Sequence, residues 1–278
     1  MIVAAPAKLN LFLHITGQRP DGYHLLQTVF QFVDYGDELE FALRQDGEIH
    51  RLSELAGVAP EQDLVVRAAR ALQQASGTAL GTDINVTKNL PMGGGLGGGS
   101  SDAATVLLAL NKLWNVGFDL DRLAEIGLSL GADVPVFVRG VACWAEGVGD
   151  IITPIQIAEP WYVILSPAVE VNTAKLFSHS RLTRDCSPCK IRDLETGLSN
   201  TQFGNVFQPL VREMYAEVDQ ALNYLSQFTE AKLTGTGACV FGAFENEEMA
   251  REAFAKRPKE IAGFVAKGLN KSPAHANL

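Results

Sequence analysis

Cysteine is scarce in this 278-residue chain: Cys143, Cys186, Cys189 and Cys239 are too few and too scattered for a disulfide framework. That excludes a small stapled scaffold and points to a reducing compartment. Long apolar runs are missing too. No stretch approaches the ~20 apolar residues of a membrane span, and Met1-Ile2-Val3-Ala4-Ala5-Pro6 carries no basic leader pattern, so a soluble, cytoplasmic protein is expected. Basic residues are in deficit, with 23 Lys and Arg against 32 Asp and Glu, and the formal charge of −9 repels phosphate backbones and anionic membranes. Neither nucleic acid nor a membrane is expected as a partner. No repeat of fixed period occurs, and the one low-complexity tract is a run of glycines. What remains is 47% hydrophobic and 20% charged, a globular composition long enough for one large domain or two ordinary ones.

Periodicity gives a mixed α+β pattern. Leu9, Leu11, Leu13 and Ile15 alternate with Lys8, Asn10, Phe12 and His14, as in a half-buried strand, and the turn-prone 17–22 segment predicts a hairpin-like return through Leu25 to Phe32. Asp63 is a candidate cap for a helix through Leu72, followed by a strand at 84–87. Ala103, Val106, Leu107, Leu110 and Leu113 form a helical stripe beginning at Ser100 or Ser101. Further helices are expected from Asp119 or Asp121 to Gly131, and at Val134-Pro135. A proline-flanked boundary near 153–160 precedes the apolar strand 161–165, a helix spanning Leu210 to Leu225, a strand at 239–244, a helix from Glu245 and a strand at 264–266.

The most informative stretch is Pro91-Met92-Gly93-Gly94-Gly95-Leu96-Gly97-Gly98-Gly99-Ser100-Ser101. Glycines allow close backbone approach and converging N–H groups. The helix that follows adds unpaired donors and the positive end of its dipole, and the paired hydroxyls suit phosphate oxygens or a hydrated Mg²⁺. A flexible linker is the competing reading, but linkers are seldom held between a strand and an amphipathic helix. Gly93, Gly95 and Gly98 formally satisfy the dinucleotide fingerprint, yet no second parallel strand ends in an acid at the required distance, since Asp119 lies in a loop. No lysine follows the last glycine, so this is not a Walker A loop. A lysine acting on the phosphoryl group must come from elsewhere.

Other residues admit two readings each. Lys8 and Asn10 project from one strand face and can reach one bound group, but an isolated strand lysine also serves to deter edge aggregation. Asp133, before Val134-Pro135, fits a helix cap as well as a reactive carboxylate. Tyr23 and His24 suit the close of a turn or an aromatic, polar ligand contact, and Phe177 suits an ordinary core position. Gly235 to Gly237 fits a tight lead into the strand at 239. Cys186-Ser187-Pro188-Cys189, with His179 nearby, lacks a second ligand pair at zinc spacing and reads as a solvent loop.

Taken together, Pro6-Ala7-Lys8-Leu9-Asn10-Leu11, the glycine tract through Ser101-Asp102-Ala103, and Leu233-Thr234-Gly235-Thr236-Gly237-Ala238-Cys239 resemble the three ordered motifs of the GHMP kinases. Arg19-Pro20-Asp21-Gly22-Tyr23-His24 and Leu130-Gly131-Ala132-Asp133-Val134-Pro135 resemble the branch that acts on 4-diphosphocytidyl-2-C-methyl-D-erythritol in isoprenoid precursor synthesis. The similarity spans Pro6 to about Gly268. It implies a two-domain α+β fold: a ribosomal-protein-S5-domain-2-like, ATP-binding domain over 1–155 and a ferredoxin-like α+β substrate domain over 156–278. It implies ATP and Mg²⁺ as cofactors and phosphoryl transfer to the C2 hydroxyl of that substrate. Lys8 is then the catalytic lysine and Asp133 the catalytic base, with residues 91–101 around the phosphates. Asn10, Tyr23, His24, Thr173, Phe177, Gly235 and Gly237 contact the acceptor, with Tyr23 and Phe177 enclosing its cytosine. Ser101 is the metal-ligand candidate. One departure stands out: where the family commonly has Asp-Asn-Leu-(Val/Ile) near the adenine, this chain has Gln62-Asp63-Leu64-Val65.

The phosphate loop predicts that separate titrations of ATP and NAD give an ATP response. Tight NAD binding without one would restore the dinucleotide reading and a dehydrogenase.

Overall fold

The structure is a computed structural model describing residues 1–53, 58–59, 61–196 and 203–276. Two long strands lead, β1 (Ile2–Gln18) and β2 (His24–Arg44), antiparallel and joined by a turn in which Gly22 takes a φ of +90°. The first half continues with β3 (Ile49–Arg51), α1 (Leu64–Ser76), β4 (Gly81–Thr87), α2 (Gly98–Leu113), α3 (Leu120–Leu128), α4 (Val134–Arg139), β5 (Cys143–Glu146) and β6 (Ile151–Pro154). The second contains β7 (Trp161–Ser166), α5 (Thr173–Phe177), α6 (Gln208–Met214), α7 (Ala216–Leu225), β8 (Ala231–Leu233), β9 (Val240–Phe244), α8 (Glu247–Ala255) and β10 (Ala262–Leu269).

Strands run β3-β4-β2-β10-β7-β9-β8, with β1 and β5 also on β2 and β6 on β5; β3 and β4 pair in parallel, and the other strand pairs among the described residues are antiparallel. The length of β2 makes this possible. Its successive stretches pair with β5 (Thr28–Phe30), with β10 at Phe32 and Val33, and with β4 (Glu38–Arg44), while β1 lines its other edge.

β1 departs from the half-buried strand expected. Every residue from Ala5 to Leu13 is buried, Lys8, Asn10 and Phe12 included, because this strand serves three packing regions at once. Val3 and Ala5 join the core under α1 and α2, Leu9 and Leu11 a central layer with Tyr162 and Phe241, and Leu13 and Ile15 the core under α6 and α7. The link between β6 and β7 spans the expected division near 155. Several contacts cross it: the end of β1 enters the second core, the central layer joins residues of both halves, β10 pairs with β2, and Ala274 returns to the first core.

Other boundaries moved for identifiable reasons. Asp63 caps α1 as expected, its Oδ1 accepting the Val65 N–H at 2.9 Å. α2 begins at Gly98 rather than at Ser100 or Ser101, because Gly97 adopts the left-handed conformation and its carbonyl already accepts the Ser101 N–H. The helix expected from Leu210 to Leu225 is two helices, broken at Tyr215, whose extended backbone ends α6 and starts α7. The apolar spacing concealed the break, since both helices face one core.

The glycine tract packs against the 234–237 loop. An added Cβ at Gly95 would lie 2.2 Å from the Thr234 carbonyl oxygen, and one at Gly94 would lie 2.6 Å from Cys239 Sγ. Gly93 is different: its φ is +68°, but nothing lies within 4 Å of an added Cβ. Gly93→Ala should therefore lose only the left-handed backbone cost of about 1–2 kcal/mol. Gly95→Ala, with φ +76° and a backbone clash, should lose clearly more. Urea unfolding of the two variants checks that order.

Candidate active site

Lys8 lies at the centre, 3% exposed, on the inner face of β1. A buried ammonium must be paired, and this one has a partner from each surrounding element. Nζ donates to Asn10 Oδ1 at 2.6 Å and to the Gly95 carbonyl at 3.1 Å, and it stands 3.4 Å from Asp133 Oδ2 and 5.1 Å from the Phe30 ring centre. Burial excludes the solvated edge lysine. Asn10 shares the Lys8 face, as the strand period requires, and is itself fixed: its Nδ2 donates to Thr28 Oγ1 and its backbone N–H to Thr234 Oγ1. Asp133 occupies the cap position of α4, yet its side chain makes no capping bond and turns instead to Lys8.

The glycine tract turns its carbonyls inward. Gly94 O accepts the Cys239 N–H, Gly95 O accepts Lys8 Nζ and the Thr234 hydroxyl, and Leu96 O accepts the Lys8 N–H. Across a trans peptide the N–H points opposite its carbonyl, so the N–H groups of Gly95, Leu96 and Gly97 point away from these partners, and a cavity adjoins the loop. That cavity, about 370 Å³, is lined by Pro91 to Ser100 and by Gln62 to Val65. Ser101 is not among its walls. Starting α2 at Gly98 turns Ser101 inward, where it is fully buried and its hydroxyl donates to the Pro6 carbonyl at 2.7 Å. Its candidacy as a phosphate or metal contact is corrected on that ground, and half-buried Ser100 is the hydroxyl that lines the cavity.

Three charged residues of this cavity escaped the sequence reading. Lys88 places its ammonium between Asp37 and Asp102, 2.9 Å from the latter. Burial would lower the Lys88 pKa, but the two carboxylates outweigh it and hold the ammonium above its ordinary range. Burial pushes the Asp102 carboxyl up to about 7, Lys88 opposes the shift and Asp37 adds to it. Asp102 Oδ1 has no partner among the described residues. Arg51, the third, pairs with Asp63, so that both Asp63 oxygens are used, one on Arg51 and one on the α1 cap. The Arg51 Nε and Nη2 atoms are buried without a described partner. A cation just before the glycine tract was the available signal for Lys88; Arg51, forty residues upstream, offered none.

A larger cavity of about 750 Å³ adjoins the first, and Gly93, Gly95 and Gly97 line both. Its walls gather Lys8, Asn10, Asp133, Tyr23, His24, Thr173, Phe177, Gly235 and Gly237. Thr173 and Thr236 hydroxyls lie 2.8 Å apart, tying α5 to the second glycine loop. His24 and Phe177 ring centres are 5.0 Å apart, so these two form one aromatic wall. Tyr23 closes the β1–β2 turn with its backbone, its carbonyl accepting the Arg19 N–H at 2.7 Å, while its ring is left 65% exposed. Burial, followed by the neighbouring Arg184, lowers the His24 pKa.

Comparison with known proteins finds matches along the whole chain. The pattern described as GHMP kinases N terminal domain matches residues 63–141, and GHMP kinases C terminal matches 190–262. A 4-diphosphocytidyl-2-C-methyl-D-erythritol kinase from Pseudomonas syringae pv. syringae is 59% identical over the whole chain and 97% of its own length. One of the same description from Pseudomonas putida (strain W619) is 58% identical, across 100% of this chain and 96% of that one. A crystal structure of 4-(cytidine 5'-diphospho)-2C-methyl-D-erythritol kinase superposes with a TM-score of 0.84 at 29% identity, covering 96% of this chain and 99% of that one. Methanococcus jannaschii mevalonate kinase shares the fold, with a TM-score of 0.70 at 17% identity over 97% of this chain and 98% of that one. Among the described residues no helix is long and apolar enough to cross a membrane.

Lys8 and Asp133 meet beside the shared loop, away from the Gln62–Val65 wall. Asp133→Asn and Lys8→Ala should therefore lower turnover by about a hundredfold or more while leaving ATP affinity nearly intact. Steady-state kinetics and nucleotide titration on each variant check it, and near-normal turnover in Asp133→Asn would return that residue to a structural role.

Proposed function

This chain belongs to the GHMP kinases, and from that premise we infer that it phosphorylates 4-diphosphocytidyl-2-C-methyl-D-erythritol with ATP, the activity its relatives are named for. The observation that carries the reading is the pair of cavities sharing one glycine loop, with the Lys8–Asp133 pair beside it. A donor nucleotide in the smaller cavity and an acceptor alcohol in the larger one would bring the reacting groups together at that loop, and the product belongs to isoprenoid precursor synthesis.

Phosphoryl transfer asks mainly for alignment and charge neutralisation. Asp133 orients the acceptor C2 hydroxyl and accepts its proton, with the Lys8 ammonium 3.4 Å from its carboxylate. The same ammonium offsets negative charge on the attacking oxygen and the moving phosphoryl group. Loop N–H groups and the start of the 16-residue α2 hold the phosphates. Asp102, with its unpartnered Oδ1, and Ser100 are the side-chain oxygens that fit a hydrated Mg²⁺, which when bound supplies further neutralisation of phosphate charge. At the far end of the larger cavity, Tyr23 and the Phe177–His24 wall accept the cytosine. On this reading, residues 1–155 carry most of the ATP site and 156–278 bring Thr173, Phe177 and the second glycine loop to the acceptor.

Incubation with ATP, Mg²⁺ and a panel of acceptor alcohols, following ADP release, tests the reaction. The cytidine-bearing acceptor should be preferred over the same methylerythritol phosphate lacking cytidine; equal kcat/KM for both would favour a kinase of another small alcohol. Tyr23→Ala or Phe177→Ala should raise acceptor KM about five- to a hundredfold, the range expected for one aromatic stacking contact, with ATP binding unchanged.

A further inference from the structure

Arg184 lies outside every motif considered so far, yet it connects the two rings of the aromatic wall. Its Nη2 donates to the carbonyls of Phe177 at 2.6 Å and His179 at 3.0 Å, and Nη1 donates to that of Leu182 at 3.0 Å. Its Nε–H crosses to β2 and donates to His24 Nε2 at 3.2 Å. Four of the five guanidinium N–H groups are thereby used, and a planar fork held at four points has little freedom left.

The tautomer of His24 follows from the same contact. A guanidinium only donates, so Nε2 must accept, and a neutral imidazole that accepts at Nε2 carries its proton at Nδ1. His24 lines the larger cavity, where that Nδ1–H is the one donor its ring can offer. Phe177, whose own carbonyl Arg184 holds, packs against the same ring, tilted by 36° with centres 5.0 Å apart.

We propose that Arg184 is a positioning residue for nucleobase recognition: it fixes His24 as the Nδ1–H tautomer and in register with Phe177, presenting a ring donor beside an aromatic face to a pyrimidine carbonyl. This rests on the acceptor reading above, in which the cytosine occupies that end of the cavity. Arg184 touches no reacting atom, so its loss acts on acceptor affinity rather than on chemistry. The Phe177 loop keeps its own link to the second glycine loop through Thr173 and Thr236.

The test combines kinetics with a spectroscopic readout. Arg184→Met should raise the KM of the cytidine-bearing acceptor about three- to tenfold, the worth of one oriented hydrogen bond, with kcat within about twofold and ATP KM unchanged. In a His24→Ala background the same substitution should add nothing further, because the path through His24 is already lost. Additive effects, or a fall in kcat at constant KM, would overturn the proposal in favour of a general structural role. Nitrogen-15 spectra of the ligand-free protein should show His24 unprotonated at Nε2, with that signature lost in Arg184→Met; an unchanged spectrum would equally overturn it. If Arg184→Met fails to fold, Arg184→Lys, which keeps the charge but not the fork, should give an intermediate KM, and a KM equal to the parent's counts against the proposal. Equal use of acceptors with and without cytidine by the unaltered protein would defeat the acceptor reading, whereas the spectra still decide whether Arg184 sets the tautomer.

Discussion

Burying the Lys8 ammonium is the constraint around which the rest of the molecule is arranged. A charge removed from water is tolerable only when several groups hold it, and here they come from Asn10 on β1, the Gly95 carbonyl, the Asp133 carboxylate and the Phe30 ring. Each partner belongs to a different stretch of chain. Satisfying one cation thus requires the first strand, the phosphate loop and the start of α4 to converge on one point, which is where a phosphoryl group and an attacking hydroxyl must also meet.

Convergence needs close approach, and glycine supplies it. The tract at 93–99 and the loop at 234–237 pack backbone to backbone, so closely that a Cβ at Gly95 would collide with Thr234. Sequence alone suggests that the glycines exist to admit phosphates. The structure adds a second reason: several are glycine because the opposing protein wall leaves no room, while the carbonyls of Gly94, Gly95 and Leu96 are taken up by that wall.

A phosphate site on an acidic chain depends on donors placed at short range. With a net charge of −9, this chain places Lys8, Lys88 and Arg51 at the adjoining cavities, each ion-paired to aspartate, and sets the N-terminus of α2 beside them. Lys88 is itself bracketed by Asp37 and Asp102, which keeps it charged when partly buried.

Much of this was legible without coordinates. The alternation along β1 places Lys8 and Asn10 on one face whatever the fold, because a strand repeats every two residues. Likewise the Asp63 cap and the sequence of the longer helices and strands follow from local chemistry, which acts over a few residues, whereas the short β3, β6, α5 and β8 carried no such signal. What the tertiary structure decided is everything that depends on distant partners. Whether Asp133 caps α4 or faces Lys8 turns on where β1 lies, and Ser101 was lost to the cavity because three residues of helix phase turned it toward Pro6. Burial of β1 on both faces, the break at Tyr215, and the contacts of Lys88, Arg51 and Arg184 have the same origin. Residues far apart in sequence set the field, the packing and the hydrogen bonds at each of those atoms, and no local pattern records which of them will be neighbours.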